Sequence, residues 1–329
     1  MLRPGLLVVG CGVGLLAALT ALVILLRGTG ELVVVEAPAG DTRYPRVTIP
    51  LEFSVVTYTI QGRPVLDDTR GKFPEIGRRL GEFDLVAFQE CFVNHEYLWG
   101  ALDHPLKVFD NTLRNSWKLV GSGLSTVGRF PLVGLEHMHF GTRGEFQNRP
   151  ASKGILLTRF DIDGHTVDLY NTHMEAGRGR LADEARFQQV DELIAFVQAK
   201  SPPEHTVILA GDFNMRPLRE FHGESETDSK LVGFQRMLEG LGPAFRDVSD
   251  EIHGTPGPLS AENHDALWRR RPGGPEDVDR VLLRAGAGVR VYPLSWDKPI
   301  EDFRADTGEL LSDHDPIVVV FRLASGEQE

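Results

Sequence analysis

Along this chain, short apolar runs alternate with amphipathic stretches and with loops rich in glycine, proline and asparagine. Runs of four to eight β-prone residues bounded by turn residues read as strands buried on both faces. Phe53–Tyr58, Asp84–Gln89, Thr206–Ala210, Asp279–Leu283 and Ile317–Phe321 have this character. Leu124–Val127 and Leu132–Phe140 read as a strand pair around Arg129-Phe130-Pro131, and Ile155–Thr158 follows the opening Lys153-Gly154. Asp163-Gly164 is a two-residue hairpin signal into Thr166–Asn171.

Helical periodicity appears in three places. Phe73–Leu80 carries Ile76 and Leu80 on one face, and Leu181–Ala199 carries Val190, Leu193, Ile194 and Val197 before Ser201-Pro202-Pro203 stops it. Leu231–Leu241 places Leu231, Phe234, Leu238 and Leu241 on one stripe, ended by Gly242-Pro243 and preceded by a polar loop, Leu218–Lys230. Strands with hairpins plus a few long helices predict a layered α/β sandwich with mixed sheets.

One stretch departs from this pattern. Leu6–Leu26 contains no charged residue and is flanked by Arg3 and Arg27, long enough to cross a bilayer core of about 30 Å. It reads as an uncleaved signal anchor in preference to a cleaved signal peptide, whose apolar region is shorter. Val8-Val9-Gly10-Cys11 resembles a lipoprotein cleavage box but lies too early in the apolar run. The basic N-terminus and the acids Glu31, Glu36 and Asp41 after Arg27 favour an extracytoplasmic body. The expected organisation is an anchor over 1–27, a linker or edge segment over 28–50 and a catalytic domain over 51–325.

Composition changes the picture in two respects. The chain has 329 residues and a formal charge of −12; residues 1–27 hold Arg3 and Arg27 and no acid, so the body carries −12 − 2 = −14. A body this acidic does not rely on bulk attraction to polyanions, so no stable nucleic-acid partner is expected. The two cysteines, Cys11 within the apolar run and Cys91 in the body, make an internal disulfide unexpected.

The candidate chemistry sits where the buried runs end. Thr59, Gln89-Glu90, Asn171-Thr172-His173, Asp212 with Asn214, Asp279, and Asp313-His314 lie at six such ends. Acids and imidazoles avoid interiors unless they are paired or bind metal. Asp212 and Asn214, two residues apart, point the same way on an extended backbone and can hold a water and a phosphoryl oxygen together.

Phe88-Gln89-Glu90, Asn171-Thr172-His173, Gly211-Asp212-Phe213-Asn214, Asp279 and Ser312-Asp313-His314 together resemble the motifs of the endonuclease/exonuclease/phosphatase superfamily. The match spans about Phe53 to Phe321. Ala151–Gly154, Thr172–Gly177 and the run from Ala185-Arg186 to Gln189 are similar to the bacterial-type neutral sphingomyelinases. The resemblance implies a DNase I-like fold, a four-layer α/β sandwich of two packed mixed sheets flanked by helices. It also implies metal-dependent phosphoester hydrolysis.

Residue chemistry agrees with that implication. Phosphodiester cleavage needs an activated water, an electrophile and help for the leaving oxygen. Glu90 suits Mg²⁺, with Mn²⁺ as the alternative. His314, flanked by Asp313 and Asp315, is the expected general base. Asp212 would orient the water, Asn214 would bond the phosphate, and Asp279, by analogy with the family, would support that set. A charged His173 would donate to the phosphoryl or leaving oxygen, with Lys153 and Asn171 as phosphate contacts.

Thr59 departs from the resemblance, which places an asparagine of the metal site there. The expected activity is a membrane-anchored, Mg²⁺-dependent phosphodiesterase acting on a phospholipid, sphingomyelin first. The alternatives are a nuclease or phosphomonoesterase on the same fold, or a lipid-binding homologue weakened by Thr59. Trp99, Trp117, Trp268 and Trp296 could form a lipid-facing edge, core packing being their commoner use. His137 and His139, alternating on a strand, read as structural or surface residues.

Overall fold

A computed structural model describes residues 30–115, 118–142, 144, 150–177, 179–216, 229–254 and 278–326. The apolar stretch Leu6–Leu26, most of the loop after Met215 and both Trp117 and Trp268 lie outside the described residues. Among the described residues no helix is long and apolar enough to cross a membrane.

Two sheets form the centre. The first contains β1 (Leu32–Glu36), β2 (Leu51–Gly62), β3 (Leu85–Cys91), β4 (Leu106–Asp110), β5 (Leu124–Gly128), β12 (Val289–Asp297) and β13 (Ile317–Ser325), in the spatial order β1-β4-β5-β3-β2-β13-β12. The second contains β6 (Leu132–His139), β7 (Gly154–Ile162), β8 (His165–His173), β9 (Thr206–Asp212), β10 (Arg246–Asp247) and β11 (Asp279–Arg284), in the order β10-β11-β9-β8-β7-β6. Each sheet has one parallel pair, β2 with β3 and β8 with β9; the other neighbours are antiparallel.

The parallel pairs locate the helices, because a parallel connection needs a crossover. Helix α1 (Thr69–Leu80) links β2 to β3, and α3 (Arg180–Lys200) links β8 to β9. The short α2 (His95–Trp99) lies with α1 over the first sheet, α4 (Ser229–Leu241) lies beside α3 over the second, and α5 (Val248–His253) contacts β11 and β12. Helix α1 begins a turn earlier than its apolar periodicity indicates, because the Asp68 carboxylate accepts a hydrogen bond from Gly71 N–H and caps it.

Strand periodicity divides the apolar residues among three layers. On β2, Phe53 and Val55 enter the core between the sheets, whereas Val56, Tyr58 and Ile60 pack under α1. On β9, Ile208 and Ala210 enter the inter-sheet core, whereas Val207 and Leu209 pack under α3 and α4 with Val190, Leu193 and Phe234. Both strands are thus buried on two faces and carry continuous apolar runs. Each fully buried Val, Ile, Leu or Phe contributes roughly 1.5–3 kcal/mol. The result is the four-layer α/β/β/α sandwich.

Three sequence expectations change. Leu124–Val127 and Leu132–Phe140 do not pair: β5 joins the first sheet and β6 is the edge of the second. Phe130 between them is buried in the inter-sheet core, so Arg129-Phe130-Pro131 is a corner carrying the chain across the sandwich. Residues 28–50 include the edge strand β1, paired antiparallel with β4, so the edge alternative holds there instead of a free linker. Trp99 and Trp296 are buried, which removes them from any lipid-facing edge.

Candidate active site

The same period of two that fills the inter-sheet core delivers polar groups to one end of it. On β2 the inward positions run Phe53, Val55, Thr57, Thr59; on β3, Leu85, Ala87, Gln89; on β8, Val167, Leu169, Asn171, His173. On β9 they run Ile208, Ala210, Asp212, and on β11 Leu283, Val281, Asp279. Asp212 and Asp279 are direct cross-strand partners. Apolar side chains occupy the middle of each inward row and polar ones its end, so the core opens into a polar site.

Three joints with positive φ, at Gly211, Asn214 and Glu90, shape it. Gly211 holds φ at 152°, and a Cβ there would lie 2.0 Å from the Thr172 carbonyl, so only glycine lets β9 approach β8 this closely. Asn214 leaves the strand at φ 51°, and its N–H donates to Asp212 Oδ1 at 2.9 Å. The expected extended Asp212-x-Asn214 pair is therefore an Asx turn. Asn214 stays at the site through its side chain, whose Nδ2 donates to the Met174 carbonyl at 3.3 Å. Glu90, off the inward register of β3, is reoriented by a φ of 57° where the pairing with β2 shifts.

Beneath the site a buried network joins the two sheets. Gln89 Nε2 donates to Asn171 Oδ1 at 2.7 Å, and Asn171 Nδ2 donates to the Phe88 and Ser125 carbonyls, each at 3.0 Å. These bonds use the whole amide of Asn171 and leave nothing for phosphate. Its expected substrate contact gives way to a role as the tether between β8, β3 and β5. The Thr59 hydroxyl lies 3.3 Å from Gln89 Oε1 and 3.2 Å from Asp279 Oδ1. It is engaged with its neighbours in the network, where the sequence placed a metal ligand.

At the mouth, His314 is held by Asp279, not by the adjacent acids: Nδ1 lies 2.6 Å from Asp279 Oδ2. Asp315 faces Lys298 at 3.8 Å, and Asp313 Oδ1 lies 3.3 Å from the Ser312 hydroxyl oxygen. The segment 311–314 is a bend leading into β13 of the first sheet, and the partner of His314 comes from β11 of the second. Ser312 anchors the segment by donating to the Thr59 carbonyl at 2.6 Å, and His314 N–H donates to the Ser312 hydroxyl at 3.3 Å. Burial alone would lower the His314 pKa, but Asp279, Asp212 and Asp313 outweigh it and push the imidazole up to about 10. Burial, reinforced by Asp279, pushes Asp212 up to about 6.

Lys153 and His173 form the opposite wall. Lys153 is buried, and its Nζ donates to the Met174 carbonyl at 2.7 Å and lies 2.8 Å from His173 Nε2. Burial lowers the Lys153 pKa, opposed by Asp212 and Glu90. Burial and the Lys153 and His314 charges drive His173 well below the ordinary histidine range, so the ring is neutral. The donor expected of His173 is supplied by Lys153, whose Nζ has two hydrogen-bond partners among the described residues. Asp212 Oδ2 lies 3.3 Å from His173 Nε2.

Burial raises the Glu90 pKa, while Lys153 and Arg63 act against it; Asp313 and His314 also act on this carboxylate, which places it in the same electrostatic site. Asp212, Asp279 and His314 bring ligand atoms within 4.8 Å of one another, a group that does not include Glu90 or Thr59. Beside them opens a cavity of about 290 Å³, with Glu90, Arg63 and Lys153 meeting apolar walls from Leu66, Phe92, Leu119, Val120, Pro150 and Ala151. Sequence reading missed Ser125 and Arg63, which no motif marks, and gave Ser312 no role although it opens the Ser312-Asp313-His314 motif. The Gln89 tether was detectable only through its inward register.

Residues 69–314 match the Endonuclease/Exonuclease/phosphatase family. A sphingomyelinase of Mycobacterium tuberculosis (strain ATCC 25618 / H37Rv) is 28% identical over 308 residues, covering 90% of this chain and 57% of the relative. An inositol phosphosphingolipids phospholipase C of Schizosaccharomyces pombe is 25% identical over 160 residues, 45% of this chain and 37% of that protein. The chain thus spans little more than half the length of the mycobacterial relative. Among solved structures, Staphylococcus aureus beta toxin with bound magnesium ions superposes with a TM-score of 0.58 at 19% identity, covering 82% of this chain and 99% of that one. TDP2 of D. rerio, complexed with a single-strand DNA product, gives 0.58 at 18% identity over 82% and 98%.

Proposed function

We propose that this chain, which belongs to the Endonuclease/Exonuclease/phosphatase family, is a phosphodiesterase that cleaves the headgroup from a phospholipid, sphingomyelin being the first candidate. The observation that carries this reading is the cavity with an apolar wall and a polar floor of Glu90, Arg63 and Lys153. A ligand with a phosphodiester next to hydrocarbon satisfies both halves; the acidic body gives a polyanion no comparable attraction. Val65 and Leu66, 77% and 75% exposed at the cavity side, add an apolar surface suited to a lipid interface. The uncharged stretch Leu6–Leu26 supports a membrane anchor with the body outside the cytoplasm.

In this reading Lys153 Nζ holds a phosphoryl oxygen and stabilises the charge that grows on it. Asp279 fixes His314 Nδ1 and leaves Nε2 to meet the attacking water; only the neutral ring takes its proton, so turnover in this reading rises with pH as the imidazolium deprotonates. Asp212, backed by the Asn214 N–H, orients that water, and the Asn214 side chain lies within reach of the phosphate. The anionic crowding of Glu90, Asp212 and Asp279 fits a hard divalent cation, with Glu90 as its principal carboxylate. Mg²⁺ held there would polarise the phosphoryl oxygen.

Incubation of the protein with sphingomyelin vesicles and Mg²⁺ is expected to release phosphocholine, and chelation should abolish release. No release from sphingomyelin, phosphatidylcholine or a phosphoinositide, with cleavage of single-stranded DNA instead, would replace the lipid reading with a nuclease. A second reading, a lipid-binding homologue with little turnover, rests on the engagement of Thr59 with Gln89 and Asp279. Thr59→Asn decides it: if wild type and variant both bind vesicles and neither releases headgroup, binding is the function.

A further inference from the structure

Away from the catalytic mouth, β4 of the first sheet and the edge strand β6 of the second bring together one carboxylate and two imidazoles. Asp110 ends β4 in the first sheet; His137 and His139 alternate at the end of β6 in the second and therefore share a face. One ligand atom from each of the three lies within 4.8 Å of the others. The His139 Nε2 to Asp110 Oδ2 separation is 3.7 Å, and His137 Nδ1 to Asp110 Oδ1 is 3.9 Å.

We propose that Asp110, His137 and His139 bind a divalent cation of the zinc class, which pins β4 to the edge strand β6. The Asp110 side chain is fully buried, and its Oδ2 has no hydrogen-bond partner among the described residues. The Thr112 hydroxyl accounts for the rest of the cluster. It donates to Asp110 Oδ1, lies 2.9 Å from His139 Nε2 and 3.3 Å from His137 Nδ1, and leaves Oδ2 unserved. A cluster built only for hydrogen bonding would satisfy its deepest oxygen, because an unpaired buried carboxylate oxygen is costly. A cation between Oδ2 and His139 Nε2 satisfies it.

The donor set selects the ion. Two imidazole nitrogens and one carboxylate suit zinc, whereas Mg²⁺ takes oxygen ligands almost exclusively. Metal bonds of about 2.0–2.2 Å in a tetrahedron place ligand atoms roughly 3.3–3.5 Å apart, so the two imidazole–carboxylate separations of 3.7 and 3.9 Å need to shorten by only a few tenths of an ångström. His137 is one-third exposed and gives the ion a route in, and water or the Thr112 hydroxyl completes the fourth position. The site borders the catalytic wall without belonging to it: His139 is registered with Gly154, and the Phe140 N–H donates to the Lys153 carbonyl at 3.0 Å.

The test measures metal content and spectrum independently of turnover. Full-length protein dialysed against Zn²⁺ in excess Mg²⁺ is expected to retain one zinc equivalent that His137→Gln and His139→Gln lose while keeping wild-type circular dichroism. Co²⁺ in place of Zn²⁺ should give visible tetrahedral absorption in wild type and in Asp279→Asn, but not in either histidine variant. No zinc retained by the wild type overturns the proposal, as do equal zinc contents in wild type and both histidine variants. Loss of the cobalt spectrum in Asp279→Asn alone also overturns it, because it would put the ion at the catalytic cluster.

Discussion

The Nδ1 of His314 lies 2.6 Å from Asp279 Oδ2, across 35 residues of chain, and this contact governs the charge of the candidate active site. It fixes which ring nitrogen faces Asp279 and leaves Nε2 to face solvent. Together with Asp212 and Asp313 it outweighs the burial that would otherwise discharge the ring.

Asp279→Asn should therefore move the His314 titration, followed by NMR in metal-free protein, from about 10 down toward the ordinary histidine range. Because the folded pKa lies above the unfolded one, this group's contribution to stability is complete below about pH 6.5 and is lost as pH rises toward 10. The variant should lose that alkaline decline. An unchanged midpoint would show that Asp279 is not the group holding the imidazolium.

Lys153→Met should lower headgroup release by roughly 10²–10³-fold, the usual cost of removing a preorganised donor to a developing oxyanion. Its thermal midpoint should fall as well, because losing the ammonium takes a donor from the Met174 carbonyl and His173 Nε2 and leaves Asp212 and Glu90 without its charge. His314→Ala should cost about 10²–10⁴-fold through loss of proton transfer. Steady-state phosphocholine assays beside calorimetry separate the two effects; a Lys153→Met protein that turns over normally would remove that residue from the site.

Asn171→Ala is a stability experiment. It takes the side-chain donor from the buried Phe88 and Ser125 carbonyls, and one of three acceptors from Gln89 Nε2, which keeps the Thr57 hydroxyl and the Ala87 carbonyl. Unsatisfied buried groups cost about 1–3 kcal/mol each before relaxation, so a net loss of about 3 kcal/mol is expected in urea unfolding. A loss below about 1 kcal/mol would show that water replaces the tether.

His104 supplies a pH dependence remote from catalysis. Burial pulls its pKa down to about 4, and its Nε2 lies 2.7 Å from the Phe83 carbonyl. Here the folded pKa lies below the unfolded value, so stability is full above about pH 6.5 and falls as pH drops toward 4. The decline from this residue amounts to up to about 3 kcal/mol. His104→Gln should flatten the decline between those limits in unfolding curves, and an unaltered slope would assign it to other groups.

Much of the site was legible because strand periodicity is a local property. Inward positions on β2, β3, β8, β9 and β11 alternate strictly, so Thr59, Gln89, His173, Asp212 and Asp279 could be placed at the ends of buried runs from sequence alone. The family motifs drew the same residues together, and the helix over Leu181–Ala199 announced itself through its own apolar stripe. Where reading failed, the missing information was non-local. Nothing near Phe130 tells whether a corner pairs two strands or carries the chain from one sheet to the other, and nothing near His314 distinguishes Asp313 from Asp279 as its partner.

The sequence by itself therefore determined the element types, the layered class, the family and the residues that reach the polar end of the core, because these follow from side-chain period and local turn chemistry. Tertiary structure alone decided the charges and the partners. It made His173 neutral, moved the donor to Lys153, turned Asn171 into a tether and, among the described residues, left Asp110 Oδ2 without a partner beside two imidazoles. Protonation and hydrogen bonding depend on burial and on which groups from distant strands come within a few ångströms, and both arise only when the two sheets close on each other.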